Sequence, residues 1–73
     1  MITSHKQPTV AILMSVYNGA AYLWSSLTGI CEQETPANEI ILVDDGSTDH
    51  TLSVMQLFEK EHPQIKIIKN EKI

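Results

Sequence analysis

Three short apolar runs, separated by two segments with helical spacing, constrain the fold of this chain more than any other feature. The runs cover residues 9–16, 40–43 and 65–68, and they are rich in Ile, Val and Leu. Runs of this length and composition are typical of β-strands, and the first is nearly continuous, as in a strand covered on both faces. We therefore predict three strands.

The two segments between these runs repeat apolar residues at steps of three and four, which places them on one face of a helix. The first segment covers residues 20–33 and the second covers residues 51–61. Their apolar positions are Leu23, Leu27, Ile30 and Cys31, then Leu52, Met55 and Phe58. Pro36 and Pro63 end the two helices, and Thr48 or Asp49 is the predicted N-cap of the second.

The order strand, helix, strand, helix, strand predicts an α/β fold in which helical crossovers join parallel neighbours with right-handed chirality. Such a βαβαβ unit is one Rossmann-like half of a doubly wound sheet. Ligands of these sheets bind beyond the carboxyl ends of the strands. The turn at Tyr17-Asn18 and the acidic pair Asp44-Asp45 should both emerge there.

The acidic pair has two interpretations from its local sequence. Asp44 and Asp45 directly follow Ile40–Val43 and precede Gly46. Asp-Gly and Ser-Thr-Asp are ordinary turn sequences, so the pair can serve only the turn. The position of Tyr17-Asn18 after the preceding strand favours a ligand site instead, because both turns would open into one crevice.

Composition excludes several classes of partner. Five basic and nine acidic residues give a net charge of -4 without a cluster of Lys and Arg, which argues against nucleic acid and anionic membrane as partners. The longest apolar run, residues 10–14, is far shorter than the ~20 residues that span a bilayer, and no charged-then-apolar leader opens the chain. The single cysteine, Cys31, fits a reducing compartment. We expect this chain to be cytoplasmic. If it is part of a longer protein, called the parent below, we expect that protein to lie in the cytoplasm or at the cytoplasmic face of the membrane.

Several motifs in this order resemble the amino-terminal portion of family 2 glycosyltransferases of the GT-A fold. They are Met14-Ser15-Val16-Tyr17-Asn18-Gly19, Tyr22-Leu23, Gln33, and the stretch from Ile40 to Asp49 that contains Asp-Asp-Gly-Ser-Thr-Asp. The resemblance covers about residues 10–70. It implies that this half binds the nucleotide of a nucleotide-sugar donor, most often a uridine or thymidine diphosphate sugar, in an enzyme of bacterial polysaccharide biosynthesis.

The resemblance also implies roles for individual residues. Tyr17 would lie against the nucleobase, and the Asp45 carboxylate would accept the imide N–H of uracil or thymine. Ser15 and the neighbouring backbone at Val16 would add contacts to the base or ribose, while Asn18 would mostly shape the loop. The remaining assignments concern the acidic turn. Gly46 belongs with Asp44 and Asp45 to the candidate nucleotide site. Asp44 either contacts the nucleotide or holds the turn at Gly46, and Asp49 is assigned to helix capping.

The catalytic parts of the family are not found in these residues. The family holds a divalent metal, Mg or Mn, with an Asp-x-Asp motif, and no such motif occurs here. We therefore predict no catalytic and no metal-binding residue in this chain. Residues 1–73 are interpreted as a single partial domain, with residues 1–8 flexible. The fragment alone should be inactive, whereas the parent would transfer a sugar, with inversion, to a hydroxyl of a carbohydrate or lipid-linked acceptor.

Three alternatives belong to other classes. A receiver-type signalling module also places an acidic pair after an aliphatic strand to hold magnesium, but there the pair follows the first strand. A dinucleotide-binding half would continue its first strand into Gly-x-Gly-x-x-Gly, which residues 17–21 do not supply. A non-catalytic interaction fragment would self-associate through an exposed sheet edge.

Overall fold

The computed structural model describes residues 10–34 and 37–70, and within them the predicted order of elements is confirmed. The elements are β1 (Ala11–Val16), α1 (Ala20–Cys31), β2 (Glu39–Asp44), α2 (Thr51–Glu61) and β3 (Ile65–Lys69). The helix α1 ends two residues before the predicted boundary. Neither of these helices has the length and apolar character needed to cross a membrane. The segment predicted to be flexible, residues 1–8, lies outside the described residues, as does Pro36.

The three strands form one parallel sheet with β2 in the middle. At its carboxyl edge Val16 of β1 lies opposite Asp44 of β2, and Asp44 lies opposite Lys69 of β3. The turns that leave β1 and β2 and the residue that follows β3 therefore meet at one edge of the sheet. This edge carries the predicted ligand site.

One face of the sheet and the inner faces of both helices form the core. Alternate strand residues point to the same face. The buried apolar residues are Val16, Leu23, Leu27, Ala37, Ile40, Leu42, Met55, Phe58 and Ile65. Full burial of each larger aliphatic or aromatic side chain contributes roughly 1.5–3 kcal/mol, so this single layer of contacts is the main source of stability.

The opposite face of the sheet is open among the described residues, and the prediction that β1 is covered on both faces was wrong. Leu13 of β1 is 71% exposed, and Ile68 of β3 is 51% exposed. Both crossovers have the same hand and the chain moves across the sheet in one direction, so both helices lie on the same face. The apolar alternate residues of β1 therefore face outward.

The open face should make the chain associate with itself. Replacing Leu13 and Ile68 together by Thr removes exposed apolar area while keeping residues that favour strands. We expect the self-association constant measured by sedimentation velocity to fall about tenfold. Thr buries less apolar area in the contact than Leu or Ile, and a loss of roughly 1.4 kcal/mol weakens association tenfold. Tyr22→Thr, at an exposed residue of α1, is the control and should leave association unchanged. Equal effects of both changes would contradict association through the sheet face.

Candidate functional site

The turns after β1 and β2 lie side by side at the carboxyl edge of the sheet. The backbone N–H of Asp45 donates to the carbonyl of Val16, with 2.9 Å between nitrogen and oxygen, and this bond continues the pairing of the two strands past Asp44. Tyr17 and Asp45 thus follow directly on neighbouring strands. The Tyr17 side chain is half exposed and that of Asp45 is half-buried. The predicted adjacency of the two turns is confirmed.

Asn18 joins the two turns through its backbone and its side chain. Its N–H donates to the hydroxyl of Ser47 at 2.9 Å, and its side-chain Oδ1 accepts from the N–H groups of Thr48 at 2.8 Å and Asp49 at 3.3 Å. Its backbone is left-handed, with φ of 50°, a conformation that Asn tolerates better than most residues. Asn18 therefore shapes its own loop, as expected, and also positions the loop after β2.

Asp49 and Thr51 connect the amino-terminal ends of both helices. The Asp49 carboxylate accepts from the N–H of Ala20, the first residue of α1, at 3.2 Å, and from the N–H of Thr51, the first residue of α2, at 2.9 Å. The Thr51 hydroxyl donates to the same carboxylate and accepts from the N–H of Gly19 at 2.8 Å. Three backbone N–H groups at the two helix starts, which have no partner within their own helix, are satisfied in this way.

The predicted capping role of Asp49 is confirmed, but the predicted N-cap position was wrong. The N-cap residue of α2 is His50, whose side chain makes no capping hydrogen bond. Asp49 reaches the first N–H of the helix from one position earlier. The hydrogen bond from the Thr51 hydroxyl, with smaller contributions from backbone N–H groups, lowers the pKa of Asp49 below its ordinary value of 3.8.

Asp44 is buried and holds the turn after β2. Its side chain is 1% exposed, and its Oδ1 accepts from the N–H of Ser47 at 3.0 Å. Between them Gly46 has φ of 77°, a left-handed conformation that glycine adopts without steric cost. Of the two interpretations of Asp44, the structure therefore shows the contact with the turn.

Asp45 is held by a residue that the sequence interpretation did not include. Asn70 follows β3; its side-chain Nδ2 donates to Asp45 Oδ1 at 3.1 Å, and its backbone N–H donates to the carbonyl of Asp44 at 2.8 Å. The other carboxylate oxygen, Oδ2, accepts no hydrogen bond from the part of the chain that the structure describes. The rule that placed Tyr17 and Asp45 at strand ends also places Asn70 there, so the signal was present.

The other predicted residues differ in how they can contribute. Ser15 is exposed in β1, whereas the Val16 side chain lies in the core with 2% exposure. The Val16 carbonyl already accepts the Asp45 N–H, so Val16 links the turns through its backbone. Ser47 and Thr51 were missed as positioning residues because their bonds join segments about 30 residues apart, which local patterns do not reveal.

No three His, Cys, Asp or Glu side chains come together as a metal site within residues 10–34 and 37–70. The three carboxylates at this edge explain why. Asp44 accepts from the Ser47 N–H through Oδ1, both oxygens of Asp49 accept hydrogen bonds, and Asp45 is held through Oδ1 by Asn70. The arrangement offers one half-buried carboxylate oxygen next to an aromatic turn, which suits a hydrogen-bond donor on a flat ligand.

Thr51→Val tests the connection between the helix starts. The substitution keeps the shape of a fully buried residue but leaves the Gly19 N–H without its acceptor. We expect the free energy of unfolding, measured by urea denaturation, to fall by about 1–3 kcal/mol, because a buried donor loses its partner. Thr28→Val is the matched control: the Thr28 hydroxyl only supplements a helical carbonyl, that of Trp24, and its loss should cost less than about 0.5 kcal/mol. Similar losses in both variants would refute the connection.

The lowered pKa of Asp49 predicts a pH dependence of stability. Because the folded pKa lies below the unfolded value, the carboxylate contributes stability above pH 3.8 that is lost as the pH falls through the folded pKa. In Asp49→Asn this residue no longer titrates. The wild type should therefore lose more of its free energy of unfolding than the variant between about pH 5 and pH 2, measured by urea denaturation. Parallel pH curves for the two proteins would contradict the role of Asp49.

Comparisons with known proteins show which family this chain matches. The family model described as glycosyl transferase family 2 matches residues 11–72. An uncharacterized glycosyltransferase of Haemophilus influenzae is 39% identical over 64 residues, which are 88% of this chain and 20% of that protein. A putative teichuronic acid biosynthesis glycosyltransferase, TuaG, of Bacillus subtilis is 32% identical over 85% of this chain and 25% of its own length.

A solved structure shares the fold. The mannosyltransferase PcManGT from Pyrobaculum calidifontis, in complex with GDP-Man and Mn2+, superposes with a TM-score of 0.78 at 29% identity, over 92% of this chain and 21% of that one. The chain thus spans about a fifth to a quarter of these proteins. Since the family model covers well over half of the residues, the chain belongs to glycosyl transferase family 2, and its βαβαβ unit is the Rossmann-like half of the GT-A fold.

Proposed function

We propose that this chain is the nucleotide-recognition portion of an inverting glycosyltransferase that uses a uridine or thymidine diphosphate sugar. The observation that carries the proposal is Asp45: a half-buried carboxylate at the carboxyl end of the central strand, held by Asn70 through Oδ1 with Oδ2 left to accept from a ligand. It stands one residue past the paired ends of β1 and β2, beside the turn of Tyr17.

The chemistry of this acid favours a base with an imide N–H. Uracil and thymine present an N–H at position 3, which a carboxylate accepts in a charge-assisted hydrogen bond, whereas cytosine presents an unprotonated nitrogen there. Binding a donor through Oδ2 leaves the contact with Asn70 intact. Asp45 would therefore select among bases, and the protein needs no rearrangement of the turn to do so.

Tyr17 would supply affinity without selecting the base. Its half-exposed ring leaves the sheet edge next to the acidic turn, where a base could lie against it. A nucleobase stacked on an aromatic ring gains about 1–3 kcal/mol, whichever base it is. In this proposal Asn18 and Asp49 hold the two turns at a fixed separation, and Asp44 keeps the acidic turn closed.

The transfer itself would use residues outside the described part of the chain. We propose direct displacement: a carboxylate outside the described residues takes the proton of a hydroxyl on a carbohydrate or lipid-linked acceptor, and the oxygen bonds to the anomeric carbon. The bond to the nucleoside diphosphate breaks on the opposite side, so the anomeric centre inverts. The described residues do not assemble a metal site. The similar mannosyltransferase is in complex with Mn2+, and a divalent cation of the full-length enzyme would be held by residues outside the described ranges.

The receiver-type alternative loses support from the topology. The acidic pair follows the second strand, and Asp44 directs its carboxylate to the N–H of Ser47 within its own turn. A pair that holds magnesium needs both carboxylates directed at one ion. The family match over residues 11–72 also favours the glycosyltransferase.

Titration of nucleoside diphosphates into the 73-residue chain, followed by NMR, tests the proposal. Uridine diphosphate should shift the backbone signals of both turns, and Asp45→Asn should weaken its binding by about tenfold or more, because a hydrogen bond to a charged group contributes roughly 1.5–3 kcal/mol. Glu39→Gln is the matched control, since it removes one charge from the other end of the same strand. It should bind like the wild type.

The affinities of nucleoside diphosphates with different bases test which base the donor carries. Uridine diphosphate should bind the wild type at least about tenfold tighter than cytidine diphosphate, and Asp45→Asn should reduce that preference. Guanosine diphosphate is the informative competitor, because the similar mannosyltransferase was crystallised with GDP-Man and guanine also carries a ring N–H. Tighter binding of guanosine diphosphate, or equal binding of uridine and cytidine diphosphates, would overturn the assignment of the donor.

A further inference from the structure

A groove between α1 and α2 lies apart from the residues of the candidate nucleotide site. This helix groove encloses about 400 Å³ and is lined by Trp24, Thr28 and Cys31 of α1 and by Leu57, Phe58 and Glu61 of α2, with Glu32 and His62 at its end. Its volume is within the usual range of about 300–1,000 Å³ for binding pockets. It extends toward the carboxyl ends of the helices, away from the edge that carries Asp45.

The walls of the helix groove are apolar and partly exposed. Trp24 is 54% exposed and meets Phe58 edge to face, with 4.9 Å between ring centroids. Leu57 is 55% exposed on the facing helix. On the other side of Phe58 the ring of His62 stacks at 6.1 Å. Large apolar side chains that contribute little to the core but line one concave surface typify an interaction site.

The end of the helix groove is acidic. Glu32 and Glu61 both line it, and neither carboxylate forms a hydrogen bond or ion pair with any residue in the described ranges. The carboxyl ends of two parallel helices meet here and add negative potential. No Lys or Arg lines the groove; Lys60 in the last turn of α2 lies outside it. Burial and the charge of Glu32 raise the pKa of Cys31, which keeps the thiol neutral.

We propose that the helix groove binds a basic amphipathic helix of a protein partner. Apolar side chains of the partner, spaced at three and four residues, would pack on Trp24 and Leu57. A Lys or Arg of the partner would lay its aliphatic stem along the Trp24 ring, which also attracts the cation, and place its charge between Glu32 and Glu61. The same two carboxylates repel an anionic membrane surface, so a protein helix fits this groove better than a lipid surface.

The chain carries its own reporter of this binding. Trp24 is the only tryptophan, so intrinsic emission above the tyrosine range comes from the groove itself. The probe is a synthetic peptide of roughly 14 residues, long enough for a marginal helix, with Leu and Lys at amphipathic spacing; the same peptide with Glu in place of Lys is the matched ligand control. The Lys peptide should shift Trp24 emission saturably with a 1:1 stoichiometry, and the Glu peptide should not.

Two double variants with the same change in net charge distinguish an effect of the groove carboxylates on peptide binding from an effect of the net charge of the protein. Glu32→Gln with Glu61→Gln should weaken binding of the Lys peptide about fivefold, since each exposed ion pair corresponds to roughly a one-and-a-half- to fivefold change. Glu34→Gln with Glu59→Gln alters two exposed carboxylates outside the groove and should change binding less than twofold. Leu57→Ala should also weaken binding.

Three outcomes would overturn the proposal. They are the absence of a saturable change with the Lys peptide, equal weakening by both double variants, and a response to phosphatidylcholine or phosphatidylserine vesicles without a response to the peptide. The variants change exposed side chains, so all should fold, and circular dichroism checks this directly. Uridine diphosphate binding is measured in parallel. The groove proposal can then be refuted while nucleotide binding is observed, or nucleotide binding can be absent while the peptide still binds the groove.

Discussion

A small hydrogen-bonded connection between two turns holds the functional edge of this chain together. The Asn18 side chain accepts hydrogen bonds from two backbone N–H groups of the loop after β2. In the other direction, the side chains of Asp49 and Thr51 accept hydrogen bonds from N–H groups at the start of α1. The sheet places the turns side by side, and the bond from the Asp45 N–H to the Val16 carbonyl carries the pairing one residue past Asp44. Beyond that point these side chains and the Ser47 hydroxyl, which accepts from the Asn18 N–H, join the two turns. They satisfy N–H groups that the helices cannot pair themselves, so the connection also stabilises the fold.

Most of the fold was predictable because local spacing determines it. The apolar residues of each helix recur on one face, and the aliphatic run Ile40–Val43 is typical of a buried strand. The structure has both helices and β2 where these patterns predict them. The parallel order follows from helical connections of this length. The same reasoning placed Tyr17 and Asp45 at one edge. These results depend on periodicity and on crossover handedness, both of which a single sequence reveals.

One error, one assignment that the sequence left open and one omission concern features that a local pattern does not decide. The apolar run of β1 suggested cover on both faces, yet Leu13 is exposed because both helices lie on one side. Whether Asp44 contacts a ligand or its own turn depends on a rotamer, and the structure directs it to Ser47. The contact of Asn70 with Asp45 joins residues 25 positions apart at the ends of neighbouring strands; the strand-end rule places Asn70 at this edge, but the sequence does not show which group it contacts there.

The contact between Asn70 and Asp45 makes the site depend on all three strands. The acid follows the central strand, but the side chain that donates to it follows β3. The Asn70 N–H also donates to the Asp44 carbonyl and so extends the pairing of β2 with β3 by one residue. A substitution that loosens the end of β3 would therefore change the direction of the Asp45 carboxylate without altering either of the two turns.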